Sequence, residues 1–241
     1  MRAEKIAALR VFLGKPGLQE AHPRIPLGHG AADFCLKGGL ERGVLHEVFA
    51  LAGHEAAATG FVAGLAARVA ADKHMLWIRQ DFSALEFGEL SAPGFLELGL
   101  NPEHLLLLCV TDAADGLRAA NDALSCAALG AVVIEIAGKP KVLDLMASRR
   151  LTLACAQKAV TAFLLRLGAP PDVSTAETRW LVRAASSPTR HENWGHPIFR
   201  ADLVRNRSGT TGHWVMEWNC DEGLFQNPTA HRGAMVSASS N

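Results

Sequence analysis

The sequence has no lysine or arginine between Val44 and Ala67, although this stretch has the strand-turn-helix layout of a phosphate-binding loop. It also has no Gly-x-Ser-x-Gly elbow of a serine hydrolase and no apolar run near the roughly 18 residues of a membrane span. Charges interrupt the apolar residues of MRAEKIAALRVFLGK, unlike the core of a signal peptide. We therefore expect a soluble, cytoplasmic protein.

Cysteine and histidine patterns give no indication of a disulfide or a metal centre. The five cysteines are scattered and form no Cys-x-x-Cys pair, which favours reduced thiols. The C-terminal third contains five residues of types that can bind metals: His191, His196, His213, Cys220 and His231. No two of them have the i, i+4 or Cys-x-x-Cys spacing that is typical of metal ligands. We predict no bound metal.

Charge is balanced overall but unevenly distributed. The chain has 24 Lys and Arg and 24 Asp and Glu, and residues 139–210 contain twelve of the former and five of the latter. The basic candidates for DNA or partner contacts are Lys139, Lys141, Arg149, Arg150, Arg205 and Arg207. Cations on helix ends and loops are suited to a phosphate backbone or an acidic partner, whereas the alternative is an ordinary solvated face.

Short apolar runs alternate with helix-like segments, which predicts an α/β fold with a mainly parallel central sheet flanked by helices. The predicted strands are 44–51, 74–80, 104–110, 131–138 and 160–166, and the predicted helices are 56–72, 93–99, 115–128 and 141–157. Later segments alternate like antiparallel hairpin strands at one edge of the sheet. We divide the chain into an N-terminal helix and linker arm (1–30), a core domain (31–219) and a flexible tail (220–241).

The turn after the first predicted strand does not have the chemistry of a phosphate loop. Such loops need glycines, a lysine and a Ser/Thr hydroxyl for magnesium. Here Gly53 is the one glycine, His54 and Glu55 follow it, and Thr59 lies a full turn into the helix. The Glu55 carboxylate stands where the helix N-terminus otherwise attracts an anion. These positions predict a degenerate nucleotide loop.

Two acids follow central strands at positions suited to magnesium binding or catalysis. Asp81 comes directly after one predicted strand, and Glu135 lies near the end of another. Without a phosphate-holding lysine, such acids have little to act on. We therefore predict no cofactor and no ATPase activity.

Several segments resemble known families in their order and spacing. AADFCLKGGLERGVLHEVFA (31–50) resembles the entry to the ATPase core of RecA-like recombinases. LDLMASRRLTLACAQ (143–157), then AFLLR, TRWLVRAASSP, FRADLVRNRSG and WVMEW, resemble the bacterial ImuA family. The resemblance covers residues 1–219. Compared with RecA, alanine (Ala56 or a neighbour) stands at the lysine position, Glu135 replaces an aspartate, and LGAPPDVST is too short for the second DNA-binding loop.

The resemblance implies a RecA-like fold and a non-catalytic accessory role in SOS-induced mutagenesis and translesion DNA synthesis. The implied partners are an ImuB-type inactive Y-family polymerase subunit, an error-prone replicative-type polymerase and RecA, with DNA contacted directly or through them. Self-association through the N-terminal arm is also implied.

Two alternatives remain open. One is an ATP-dependent DNA-remodelling enzyme in which Lys37 or Lys73 replaces the missing lysine. The other is a cell-division inhibitor similar to the SulA proteins.

Overall fold

The computed structural model describes residues 23–187 and 195–229. The predicted N-terminal helix, His191 and His231 lie outside the described residues. The described strands are β1 Arg24–Ile25, β2 Leu40–Glu41, β3 Leu45–Ala50, β4 His74–Gln80, β5 Leu105–Val110, β6 Leu129–Ala137, β7 Thr161–Leu167, β8 Thr178–Ala184, β9 Ile198–Asn206, β10 Gly212–Asn219 and β11 Leu224–Gln226. The helices are α1 Gly30–Cys35, α2 Glu55–Ala70, α3 Ser83–Phe87, α4 Ala92–Glu97, α5 Ala113–Ala123 and α6 Leu145–Lys158, with a 3₁₀ turn at Pro102–His104.

A nine-stranded sheet forms the centre of the fold, in the order β11-β10-β9-β8-β3-β7-β6-β4-β5. All pairs from β8 to β5 are parallel, whereas β8, β9, β10 and β11 pair antiparallel. The prediction of a mainly parallel α/β sheet with antiparallel C-terminal strands is confirmed. The helix α2 covers one face of the sheet, and α5 and α6 cover the other, so both faces of the central strands are buried.

The strands bury their apolar side chains on two separate cores. One core lies between the sheet and α2, and the other lies under α5 and α6. The strand β5 departs from the predicted continuous burial, since Leu106, Leu107 and Leu108 are 48%, 45% and 38% exposed. The cause is strand order, because β5 is an edge strand with a neighbour on one side only.

The helix α2 is packed almost all round, and its small residues make this possible. A Cβ at Gly64 would lie 2.9 Å from the Trp218 ring and 3.1 Å from Phe225. The Phe61 ring contacts Phe225 at a centroid distance of 5.0 Å. The C-terminal strands therefore form part of the core around this helix.

The strand β11 lies within the range predicted as a flexible tail. Phe225 is fully buried, and its backbone N–H donates to Leu27 O at 2.9 Å. Only three residues form β11, too few for a periodic pattern to be recognised from the sequence. Residues 230–241 lie outside the described part of the chain.

In the described residues, no helix is long and apolar enough to cross a membrane.

A buried histidine supports the strand that leads into the candidate loop. His46 on β3 is fully buried, with Nδ1 2.8 Å from Thr178 Oγ1 and Nε2 2.8 Å from Glu41 O. Carbonyl oxygen is only an acceptor, so Nε2 carries the proton and Nδ1 accepts from the hydroxyl. Burial, assisted by the positive charge of Arg24, lowers the pKa of His46 to about 4.

This low pKa predicts that stability falls on acidification. Below the ordinary pKa of about 6.5, the unfolded chain takes up a proton at His46 that the folded protein refuses until about pH 4. Between pH 7 and pH 5 we expect the free energy of unfolding to drop by about 2 kcal/mol from this group alone. Urea denaturation of the wild type and of His46→Gln measures it. The variant is expected to lose this part of the pH dependence, and equal pH dependence in the two proteins would contradict the assignment.

Candidate functional site

Residues 51–54 connect β3 to α2 in a short exposed turn. The His54 N–H donates to Leu51 O at 3.1 Å, and Gly53 has a φ of 84°, which a residue with a side chain rarely adopts. The turn therefore closes on itself. It contains a single glycine, so it does not offer the series of inward N–H groups that holds phosphates.

The first turn of α2 carries a negative rather than a positive side chain. Glu55 is the first helical residue, and the preceding His54 makes no side-chain cap. The His54 Nδ1 atom instead accepts from the Ala184 N–H, at 3.4 Å. Ala56 is exposed, and Thr59 is half-buried one turn further on. An anion approaching this helix end meets a carboxylate, which opposes the favourable helix dipole.

The predicted acid Glu135 is engaged in a buried ion pair. Its Oε1 accepts from Arg79 Nη2 at 3.0 Å, and its Oε2 accepts from Trp77 Nε1 at 2.9 Å. Both side chains of the ion pair are at most 3% exposed. With each oxygen bonded and a guanidinium beside it, Glu135 is not free to hold a magnesium ion. Asp81, the other acid, lies exposed just after β4.

A second buried acid lies on the opposite face of the sheet. Glu47 accepts from Ser174 Oγ at 2.5 Å and lies 3.6 Å from Arg166 and 3.5 Å from Arg179. Burial raises the pKa of Glu47, and burial likewise lowers the pKa of each guanidinium. Sequence patterns did not identify this cluster, although Glu47, Arg166 and Arg179 each lie on a mainly apolar strand.

An apolar cavity of about 460 Å³ lies beside the first two turns of α2. Ala56, Thr59 and Gly60 form one wall, and the segment 87–98 forms another. The Arg79–Glu135 pair lines the same space. The structure thus brings Ala56, Thr59 and Glu135 together, whereas Gly53, His54, Glu55 and Asp81 are outside the cavity lining.

The two lysines considered as substitutes precede β3 and β4, at the amino-terminal ends of the parallel strands, whereas the loop lies at the carboxyl ends. Lys73 directly precedes β4, and its Nζ donates to Ala127 O at 2.8 Å, just before β6 begins. Lys37 lies before β3 and shares a surface hollow with Gly209. Parallel strands rise about 3.3 Å per residue, so the length of a strand separates both lysines from the loop. Neither lysine is placed to replace the missing cation.

The basic candidates fall into two groups. Lys139 forms an ion pair with Asp172 at 2.5 Å, and Arg149 and Arg150 lie exposed on α6, with Lys141 in the preceding turn. The other group consists of Arg205, on β9 directly opposite Arg179 in register, and Arg207, just after that strand. The positive charges of the second group lower the pKa of Arg179, after the larger effect of its burial. Whether either group contacts DNA or a partner stays a prediction.

Within the described residues, no group of three or more His, Cys, Asp or Glu is arranged to hold a metal ion.

The Arg79–Glu135 pair yields a stability prediction. Arg79→Met leaves a carboxylate buried with one indole N–H as its only partner, so we expect unfolding to become about 3–5 kcal/mol easier. Adding Glu135→Gln removes the unpaired charge and retains an acceptor for the indole, so most of the loss is regained. Chemical denaturation of both variants and of Glu135→Gln completes a double-mutant cycle. Equal destabilisation of Arg79→Met and the double variant would contradict a coupled pair.

Comparison with known proteins identifies relatives that match most of the chain. No protein-family model matches it. Over 220 residues it is 32% identical to Protein ImuA of Caulobacter vibrioides, found in two strains, and the alignment spans 83% of this chain and 86% of that protein. Identity at this level over most of both chains shows common descent and confirms the predicted family. The chain belongs to the ImuA family.

Proposed function

We propose that this protein is a non-catalytic accessory factor of SOS-induced mutagenesis that acts by assembling other proteins at damaged DNA. Family membership supports the biological role, since the relatives carry the name ImuA. The single observation behind the binding mechanism is the state of Glu135. Its carboxylate is committed to Arg79 and Trp77, beside a loop without cations. The α/β frame is kept while the groups that ATP hydrolysis requires are absent or engaged.

The partners in this proposal are an ImuB-type protein and an error-prone polymerase, with RecA as a further candidate. We assign the ImuB-type contact to the exposed face of α6. On this helix Leu145, Met146 and Leu153 are 50%, 57% and 57% exposed, next to Arg149 and Arg150. Exposed apolar side chains bordered by cations are typical of a protein interface with an acidic partner segment.

Direct DNA contact is assigned to the other basic group. Arg205 and Arg207 lie beside Arg179, and the shared positive potential is suited to phosphate oxygens. Such a surface contributes affinity without sequence readout. Its binding therefore weakens steeply as salt is raised.

The non-catalytic mechanism makes a prediction about nucleotide binding. Calorimetric titration of the purified protein with Mg-ATP, or with a non-hydrolysable analogue, is expected to give no binding heat. Ala56→Lys is expected to stay silent as well, because one lysine does not remove the Glu55 carboxylate or free Glu135. Saturable micromolar binding by the wild type would overturn the non-catalytic mechanism and favour an ATPase.

The proposed partner surfaces make a prediction about assembly with the ImuB-type protein. The wild-type protein is expected to co-purify with its cognate ImuB-type protein. The double variant Arg149→Glu/Arg150→Glu reverses the charge at α6, so we expect its affinity for that partner to fall at least tenfold. The matched control is Arg205→Glu/Arg207→Glu, which is expected to retain the partner while losing salt-sensitive DNA binding. Failure of the wild type to bind would refute the assembly role. If the two variants had the opposite effects, the role would stand and the surface assignment would fail.

A further inference from the structure

The apolar cavity beside α2 is larger than packing defects in a protein core and opens to solvent. Its volume is about 460 Å³, within the range of pockets that bind small molecules or peptide side chains. Gly60 on α2 contributes no side chain to one wall, while Phe87, Leu90 and Leu98 provide apolar surface opposite. These three side chains are only partly buried, so apolar area remains available to a ligand.

Arg79 lines the cavity, and two of its nitrogen atoms have no acceptor among the described residues. Arg79 Nη2 donates to both Gly88 O and Glu135 Oε1, at 3.0 Å each. The Nε and Nη1 atoms of the same guanidinium are buried without any hydrogen-bond partner. Buried donors are nearly always satisfied in folded proteins. An oxygen acceptor supplied by a ligand would meet this need.

Charge decides which acceptor fits. Glu135 already neutralises Arg79, and Glu89 lies at the exposed mouth of the cavity. Among the described residues that line the cavity, Arg79 is the one cation. Within the described lining, no second cation would balance the charge of a phosphate or carboxylate. A neutral carbonyl oxygen bonds to the free N–H groups at no such cost.

We propose that this cavity receives a bulky apolar side chain of a partner protein's peptide segment, whose backbone carbonyl accepts a hydrogen bond from Arg79. An amide carbonyl next to an apolar side chain has the required chemistry: neutral, strongly accepting and attached to an apolar group. The carboxylate of Glu89 favours a neutral or basic residue beside the anchor. This inference goes beyond the proposed function, because it does not depend on which protein supplies the segment.

Nuclear magnetic resonance titration of the ¹⁵N-labelled full chain tests the site, with N-acetyl-phenylalaninamide as the probe. We expect saturable shifts of the Gly60, Gly88 and Gly94 amides and of the Arg79 Nε–H signal. The dissociation constant is expected on the order of 1 mM, as for other small ligands. The free acid N-acetyl-phenylalanine is expected to bind several-fold more weakly, and Mg-ATP is expected not to displace the probe.

Gly60→Leu fills the cavity and is expected to weaken probe binding at least tenfold. Folding should survive, because a Cβ at Gly60 meets only the Phe199 ring at 3.6 Å, an ordinary contact, and leucine favours a helix. The matched control is Ala156→Leu on the exposed side of α6, which is expected to bind like the wild type. Three results would each overturn the proposal: no saturable shifts at the cavity, tighter binding of the free acid, or displacement by Mg-ATP. Undiminished binding by a folded Gly60→Leu would also overturn it.

Discussion

The contact between aromatic rings of the C-terminal strands and the small residues of α2 is the constraint on which this structure depends. Trp218 and Phe225 lie so close to Gly64 that a methyl group at this position would clash with the two rings. Phe61, one turn earlier, packs among further rings. A helix enclosed in this way needs small or apolar residues on nearly every side. The strand-turn-helix geometry is thus retained for packing, whether or not its turn binds anything.

Buried charge is the second organising feature, and two of the buried acids lie next to guanidinium groups. Glu135 pairs with Arg79 on the α2 face, and Glu47 lies between Arg166 and Arg179 on the other. Such pairs add little stability over apolar residues, yet they are costly to break. Arg79, Glu135 and Arg166 lie near the carboxyl ends of their strands, where ligands bind in open α/β sheets. In both clusters the buried charges are already compensated by a neighbour of opposite sign.

Sequence patterns predicted the central elements well because periodicity reports burial directly. The helix α2 begins and ends within two residues of the predicted span, and the predicted core strands all form. The predicted helix 115–128 was too long, since α5 ends at Ala123. The pairing of Arg79 with Glu135 was missed because 56 residues separate them in sequence. Contacts of that kind depend on strand order, which a periodic pattern does not encode.

The exposure of β5 was missed for the same reason, since apolar composition alone does not distinguish an edge strand from a central one. Of the predicted nucleotide-loop positions, Ala56, Thr59 and Glu135 line one cavity. A cue was present in the sequence. Trp77 and Arg79 are two positions apart and lie on the same face of β4. An arginine in a buried strand needs an acid nearby.

The hydrogen bond from Trp218 Nε1 to Leu98 O, 2.8 Å long, joins residues 120 positions apart. Its partner segment 88–98 forms a wall of the cavity beside α2. During translation, this hydrogen bond cannot form until Trp218 has left the ribosome. One side of α2 therefore stays uncovered until β10 and β11 have been made. Contacts so distant in sequence slow folding and expose apolar surface meanwhile. A premature stop codon even a short distance upstream of Trp218 would leave a nascent protein open to aggregation and to chaperone capture.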